Sequence, residues 1–484
     1  MIQLDEDILL LVLGELKNDK KSLYSCLLVS RTWCVITGPI LWRNPSQFYM
    51  TNNSKNILYN VILSHLLEES RDILKNQGIN NFITETYLPL FNYISFWKCL
   101  ELQFLEDVIS SKRIEKSNVP IIRNEILKLF INKNTKFIHI SIPPNFDYQL
   151  HLIPGAESCL SELESFQCDV NITQNILEGL AKICKSIKKL RFDSIHYYYT
   201  DNFGIIKLVE VQKNLNYFCL LSISSFRNES FYKSIEESLI KHADTIRYLI
   251  IGWSPTTRFL SHFVNLLSLE IEMPDLIKGN PYWNDEKYLK NLSLPSTLKI
   301  LEVRFTPLNV LVNIIENTTE NISEISIHCN DDINYDGCKI LIQAIYHNCP
   351  NIRYLKLTLY RNLLIPEFKN LLINCQFLNG LIINVCKDHE FNWNKLFQVL
   401  IILSPINLFK FKFYSNSFKL EDLKLFFDNW KNRKAILLKL INAGIETDQE
   451  LVSLFEQYKA KGIIENCFFG NSNCCAIDED FEWI

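Results

Sequence analysis

Fifteen cysteines and nine histidines supply all the thiols and imidazoles of this 484-residue chain, and their spacing is the first test for chemistry. No two cysteines are separated by two residues, so the paired-thiolate knuckle that grips zinc is absent from the sequence. Cys474 and Cys475 are adjacent, which suits neither a metal site nor an ordinary disulfide. His389-Glu390 starts like a zinc-peptidase helix but lacks the second histidine. There is no GxGxxG or GxxxxGK phosphate loop and no GxSxG nucleophile elbow. The expectation is a chain with no catalytic residue, no metal and no cofactor, its cysteines buried as free thiols in a reducing compartment.

The chemistry on offer is that of contact. In "EDILLLVLGELK" every residue from Ile8 to Leu13 is apolar, and "SCLLVSRTWCVITGPILWRNP" follows with two tryptophans. Asp5 is placed to cap a helix over Leu4–Lys17. A second helix is expected from about Lys20 to Ser30 and a third through Trp33 to Trp42, interrupted near Gly38-Pro39. Leu4, Ile8, Leu11 and Val12 share one face of the first helix, and Leu9, Leu13 and Leu16 an adjoining one. A helix apolar nearly all round is a buried helix. Three helices in about 40 residues can hide one such face and not both. The other must meet the rest of the chain or a separate protein.

Composition narrows the class. With 48% hydrophobic and 21% charged residues the chain can fold throughout, and a net charge of −4 gives no footprint for nucleic acid. Asp5, Glu6 and Asp7 precede the first apolar run, the opposite of a secretory leader's cationic start. "VLIILSPINLF" from Val399 is too short for a membrane span and contains Pro405. A cytoplasmic or nuclear location is expected.

A repeat runs through most of the chain. "NCPNIRYLKLTL" holds Ile352, Leu355 and Leu357 in the order φ-x-x-L-x-φ, whose last part alternates as a strand does. Copies centre on Phe166, Leu190, Phe218, Leu249, Leu269, Leu301, Ile325, Leu381, Phe409 and Leu438, with a further one at Phe137-Ile140-Ile142. The steps average roughly 27 residues, within the span of leucine-rich repeats. Helix-like segments such as "ITQNILEGLAKICKSI" lie between them, and Cys184, Cys349 and Cys375 each stand six residues before a central strand position. The expected fold is α/β: three N-terminal helices, then a leucine-rich-repeat solenoid with parallel strands on a concave face and helices on a convex one. The expected divisions are 1–45 for the helices, 46–136 for a linker with an N-terminal cap or degenerate repeat, 137–445 for the repeats and 446–484 for a C-terminal cap and acidic tail. Within the linker, Trp97, Leu100 and Leu102 have the spacing of a degenerate first repeat.

The first 42 or so residues resemble an F-box, a motif that reads L-P-x-E-I, a leucine-rich helix, L-V-C-x-x-W and L-W. Leu4, Ile8, Leu13, Leu16, Leu23, Cys26, Leu28, Val29, Trp33, Leu41 and Trp42 occupy the matching positions. Asp5 stands where that motif has proline, Asp7 where it has glutamate and Ser30 where it has cysteine. An F-box ahead of leucine-rich repeats, in an Ile-, Asn- and Lys-rich chain, is similar to the F-box families expanded in some fungi. The resemblance implies a substrate receptor of a cullin-RING (SCF-type) ubiquitin ligase, without catalysis of its own. It implies docking on a Skp-type adaptor through Leu4, Ile8, Leu13, Leu16, Leu23, Leu28 and Val29, with Trp33 and Trp42 as core anchors. An unknown protein substrate would lie on the concave strand positions, among them Arg191, Tyr217, Tyr248, Glu302, Tyr354 and Lys356, which run basic, acidic, then basic. The loop "IHYYYTDNFG" from Ile195 is a further contact candidate. The competing reading is a repeat scaffold unrelated to ubiquitin, its N-terminal helices only a cap.

Overall fold

The structure is a computed structural model, and it describes residues 6–79, 89–112, 114–193, 201–221, 228–272, 290–304, 306–318, 320–328, 335–360, 364–386, 391–414, 419–441 and 449–470. Leu4, residues 195–200 of the aromatic loop, His389-Glu390, Cys474-Cys475 and the acidic tail lie outside them. The chain divides into two compact units, Met1–Cys219 and Leu220–Ile484.

The first unit opens with three helices, α1 (Glu6–Glu15), α2 (Lys20–Leu27) and α3 (Arg31–Leu41). Further helices lead into five parallel strands: β1 (Cys99–Glu101), β2 (His139–Ile142), β3 (Ser165–Asp169), β4 (Lys189–Asp193) and β5 (Tyr217–Leu220). Leu100 pairs with Ile140, Ile140 with Phe166 and Phe166 with Leu190, so the central apolar residue of each repeat sits beside that of the next. All four are 0% exposed, facing the helices that return between strands. The phenyl rings of Phe166, Phe192 and Phe218 continue this core, with centroids 6.4 and 6.0 Å apart. Gly204 marks a close approach of two such helices: a Cβ there would come within 2.9 Å of the Gln174 carbonyl and of Leu177. Asn202 caps the Phe203–Glu210 helix through Gly204 N–H and donates back to the carbonyls of Val170 and Ile172, which ties one repeat to its neighbour.

In the second unit the strands are β6 (Tyr248–Ile251), β7 (Ser268–Glu272), β8 (Ile300–Arg304), β9 (Glu324–His328), β10 (Tyr354–Tyr360), β11 (Gly380–Cys386), β12 (Lys410–Tyr414), β13 (Ile436–Ile441) and β14 (Ile464–Gly470). They are parallel and follow chain order. The register runs Leu249, Leu269, Leu301, Ile325, Leu355, Leu381, Phe411, Leu438 and Cys467. One sequence expectation is corrected here. The central residue of β12 is Phe411, not Phe409, because Leu408, Phe411 and Phe413 are the ones fully buried while Ile406 is 71% exposed. In "INLFKFKF" the apolar pattern fits at both registers, two residues apart, and the structure takes the second.

Cys184, Cys349 and Cys375 all follow directly on a helix and are sealed at the turn into the next strand, at 1%, 0% and 0% exposure. Burial pushes the Cys184 and Cys375 thiols up to about 12 and raises Cys349 as well. A neutral thiol fills this corner, whereas a thiolate would have to be desolvated. The stabilisation from burying these thiols is complete below their ordinary value of 9.0 and is lost as the pH climbs from there towards about 12, since the unfolded chain ionises first. Alkylation by iodoacetamide at pH 8, located by peptide mass spectrometry, is expected to spare Cys184, Cys349 and Cys375 in the folded chain and to modify them in denaturant.

One buried carboxylate organises the start of the second unit. Glu236, 0% exposed, accepts from Trp253 Nε1 at 3.1 Å, from Thr256 N and Oγ1 at 2.7 Å, and from Thr257 N and Oγ1 at 2.7 and 2.6 Å. Five donors converge on one acceptor-only group. Glu236→Gln puts an amide N–H either against the Thr256 N–H and the Trp253 indole N–H or against the Thr257 N–H, and each donor left unsatisfied costs about 1–3 kcal/mol. A lowered denaturation midpoint relative to wild type is the expected result.

Candidate partner-docking surface

The three N-terminal helices are held by caps that the local sequence supplies. Asp19 accepts from the backbone N–H of Lys21 and Ser22 at 3.1 Å and from Ser22 Oγ at 2.6 Å, which starts α2. The Ser22 hydrogen bonds keep the Asp19 carboxyl below its usual range. Ser30 Oγ accepts from Trp33 N at 3.3 Å and starts α3. Pro39 lies inside α3 without ending it: Trp42 N–H still bonds the Gly38 carbonyl at 3.0 Å. The end of α3 is anchored to the repeats. Trp42 packs on Tyr93 with ring centroids 4.4 Å apart, and the Arg43 carbonyl accepts from Lys98 and Cys99 N–H at the head of β1.

The interior of this unit is small. Leu9 at 3%, Leu13 at 0% and Leu23 at 0% fill it, with Thr37 and Gly38 of α3 closing the far side. Leu13 and Leu23 were expected among the docking residues. Without accessible surface they have nothing to offer a partner, and they belong to the core. Ile8, Leu28 and Val29 are 48%, 75% and 59% exposed, and Leu16 is half-buried in the turn after α1, which ends at Glu15, two residues before its expected end. Trp33 and Trp42, expected as core anchors, are each half-buried.

Sequence reasoning missed part of the uncovered surface. Leu10, Leu11 and Val12 of α1 are 56%, 71% and 53% exposed, Tyr24 of α2 is 59% and Val35 of α3 is 49%. The apolar run gave the signal; it could not say which side faced in. Exposed aliphatic side chains thus occur on α1, at the end of α2 and on α3. Single exposed leucines are ordinary; here several lie on three short neighbouring helices.

The strand positions singled out from sequence fall on the sheet face away from the helices. In the first unit Arg191 bonds Asp193 at 2.8 Å and the Tyr217 hydroxyl at 3.2 Å, so these two candidates are brought together. In the second, Arg304 pairs with Glu270 and Glu302, at 2.9 and 2.5 Å. Burial works against the charge on Arg304, and the carboxylates of Glu302 and Glu270 outweigh it, holding the guanidinium above its ordinary value. His328 stands 3.4 Å from Glu302 and 2.9 Å from Lys356, linking those two candidates through one imidazole. Tyr354 covers Gly380, where a Cβ would lie 2.6 Å from its ring, and its hydroxyl meets Lys410 at 3.4 Å. Tyr248 is 41% exposed at the start of β6. These polar side chains are engaged with one another across neighbouring strands.

The two classes of leucine in the helices should separate on melting. Leu13→Ala and Leu23→Ala are expected to lower stability by about 2–5 kcal/mol, the cost of emptying a sealed aliphatic site. Leu11→Ala and Leu28→Ala are expected to stay within about 0.5 kcal/mol of wild type. Denaturant titration followed by fluorescence distinguishes them.

Among known proteins, a family model described as F-box-like matches residues 5–47. No curated protein matches the chain. Among solved structures, the leucine-rich repeat-containing protein LegL7 from Legionella pneumophila aligns at 15% identity over 64% of this chain and 91% of its own, with a TM-score of 0.40. No helix among the described residues is long and apolar enough to cross a membrane. The helices, their match and the parallel strands that follow establish a chain with an N-terminal F-box-like domain ahead of leucine-rich-type repeats.

Proposed function

We propose that this chain is the substrate-recognition subunit of an SCF-type ubiquitin ligase, its F-box-like helices docking on a Skp-type adaptor and its repeats holding a protein substrate. The observation that carries this reading is the uncovered aliphatic band on α1 and α2, lying within the residues that match the F-box-like model. Ile8, Leu28 and Val29 remain docking residues in this reading. Leu10, Leu11, Val12 and Tyr24 join them, and Leu16 contributes its exposed part. Fully burying one aliphatic side chain contributes roughly 1.5–3 kcal/mol before association costs, and these are already partly covered, so each supplies the lower part of that range.

As a receptor the chain makes and breaks no bond in ubiquitin transfer. Its contribution is proximity, raising the local concentration of a substrate lysine near a charged conjugating enzyme carried by the cullin-RING assembly. No cofactor is needed for that. Substrate contact belongs to the sheet face carrying Arg191 and Tyr217 in one unit and Tyr248, Glu302, Tyr354 and Lys356 in the other. A cytoplasmic or nuclear setting, where such ligases work, completes the reading; nucleic acid and membrane are not among the partners it requires.

Titration calorimetry of the full chain with a Skp-type adaptor tests it. Saturable binding is expected, with Leu11→Asp and Leu28→Asp each weakening it by about tenfold or more, equivalent to at least ~1.4 kcal/mol. Unchanged affinity in both variants, or no binding by wild type, leaves the scaffold reading in its place.

A further inference from the structure

Beyond docking, the first unit carries a second arrangement of reactive groups. His139 on β2 is register partner to Cys99 on β1 and to Ser165 on β3, and Glu101 lies two residues further along β1. Its Nε2 is 2.9 Å from Glu101 Oε1 and its Nδ1 is 3.0 Å from Ser165 Oγ. We propose that Ser165, His139 and Glu101 form a hydroxyl–imidazole–carboxylate relay that makes Ser165 an acyl-accepting nucleophile towards small carboxylic esters.

Donor and acceptor capacities set the direction of the relay. An ionised carboxylate only accepts, so the ring nitrogen facing Glu101 carries the hydrogen. The other nitrogen is then a lone pair, and Ser165 Oγ–H donates to it. The His139 hydrogen bond holds the Glu101 carboxyl below its usual range, and Ser141, the register partner of Glu101, adds a second. Among the described residues Ser165 Oγ has no other side-chain partner. The His139 and Glu101 side chains retain 23% and 29% of their accessible surface, so both are partly open to solvent.

A cationic side chain stands one strand away from Ser165. The backbone N–H groups here are committed to the parallel ladder, so donors must come from side chains. Gln167 Nε2 is held by Asp193 at 3.0 Å. Lys189, the register partner of Ser165 on β4, has no ion-pair partner among the described residues, and its Nζ stands 4.4 Å from the Tyr217 ring centroid. Lys189 stands on the strand on the far side of Ser165 from His139.

The chemistry balances with water as co-reactant. Ser165 Oγ bonds to the ester carbonyl carbon as its proton passes to His139 Nδ1. The carbon–alkoxy bond then breaks, and the leaving oxygen takes that proton and departs as the alcohol. Water attacks the acyl-serine, giving a proton to Nδ1. That proton returns to Ser165 Oγ as the carboxylic acid leaves. Glu101 acts through His139 as a positioning residue and keeps its charge throughout.

The test uses the full chain, a fluorophosphonate probe and p-nitrophenyl acetate. A single phosphonyl adduct at Ser165, mapped by peptide mass spectrometry, is expected, together with p-nitrophenolate release that is lost in Ser165→Ala. His139→Gln should slow labelling by about 100-fold or more. Glu101→Gln should slow it and displace its pH profile, and Glu101→Asp should recover part of the rate. An unlabelled Ser165, labelling at the wild-type rate in His139→Gln, or unchanged ester hydrolysis in Ser165→Ala overturns the proposal. Should a variant fail to fold, as thermal melting would show, adduct mapping on the wild-type chain decides alone.

Discussion

A bundle of three short helices has room for one interior, and in this chain Leu9, Leu13 and Leu23 fill it completely. Ile8, Leu10, Leu11 and Val12 of α1 lie outside it. Sequence composition made that excess unavoidable, since Ile8 to Leu13 present apolar groups all round a helix. The anchoring of α3 through Trp42, Tyr93 and the Arg43 carbonyl fixes the band to the frame of the first repeats. The exposed side chains are thereby held at a defined position relative to β1 in the same unit.

The repeats obey a related constraint in a different way. Every strand has one face that only helices and neighbouring strands can cover, and parallel register places Leu, Ile or Phe side by side to do so. The turn from helix to strand is crowded, and a thiol is small, apolar and neutral when buried. Cys184, Cys349 and Cys375 occupy that corner for this reason, and their raised ionisation follows from the same burial.

Much of this was legible because the period of the repeat and the period of a strand coincide. The central residues at Leu249, Leu269, Leu301, Ile325, Leu355 and Leu381 are register partners in the structure, in the order the sequence spacing implies. Legibility failed where a local pattern admits two phases. In "INLFKFKF" alternation continues past the repeat, and only the packing of Leu408 and Phe413 selects Phe411 as the centre. In α1 the same ambiguity is rotational: a helix apolar on all sides gives no hint that Leu13 turns in and Leu11 out. The Ser165–His139–Glu101 relay was invisible for another reason. Its members are 26 and 38 residues apart, and nothing but the strand register brings them within hydrogen-bonding distance.

The first unit separates two kinds of surface: exposed aliphatic side chains on its N-terminal helices, and polar side chains in register on its strands. Hydrogen–deuterium exchange of the full chain with and without a Skp-type adaptor tests the central claim most directly. The account predicts new protection concentrated in α1 and α2, across residues 6–29, with the helices between strands unchanged. Protection that spares those residues, or falls instead on the repeats, would contradict it.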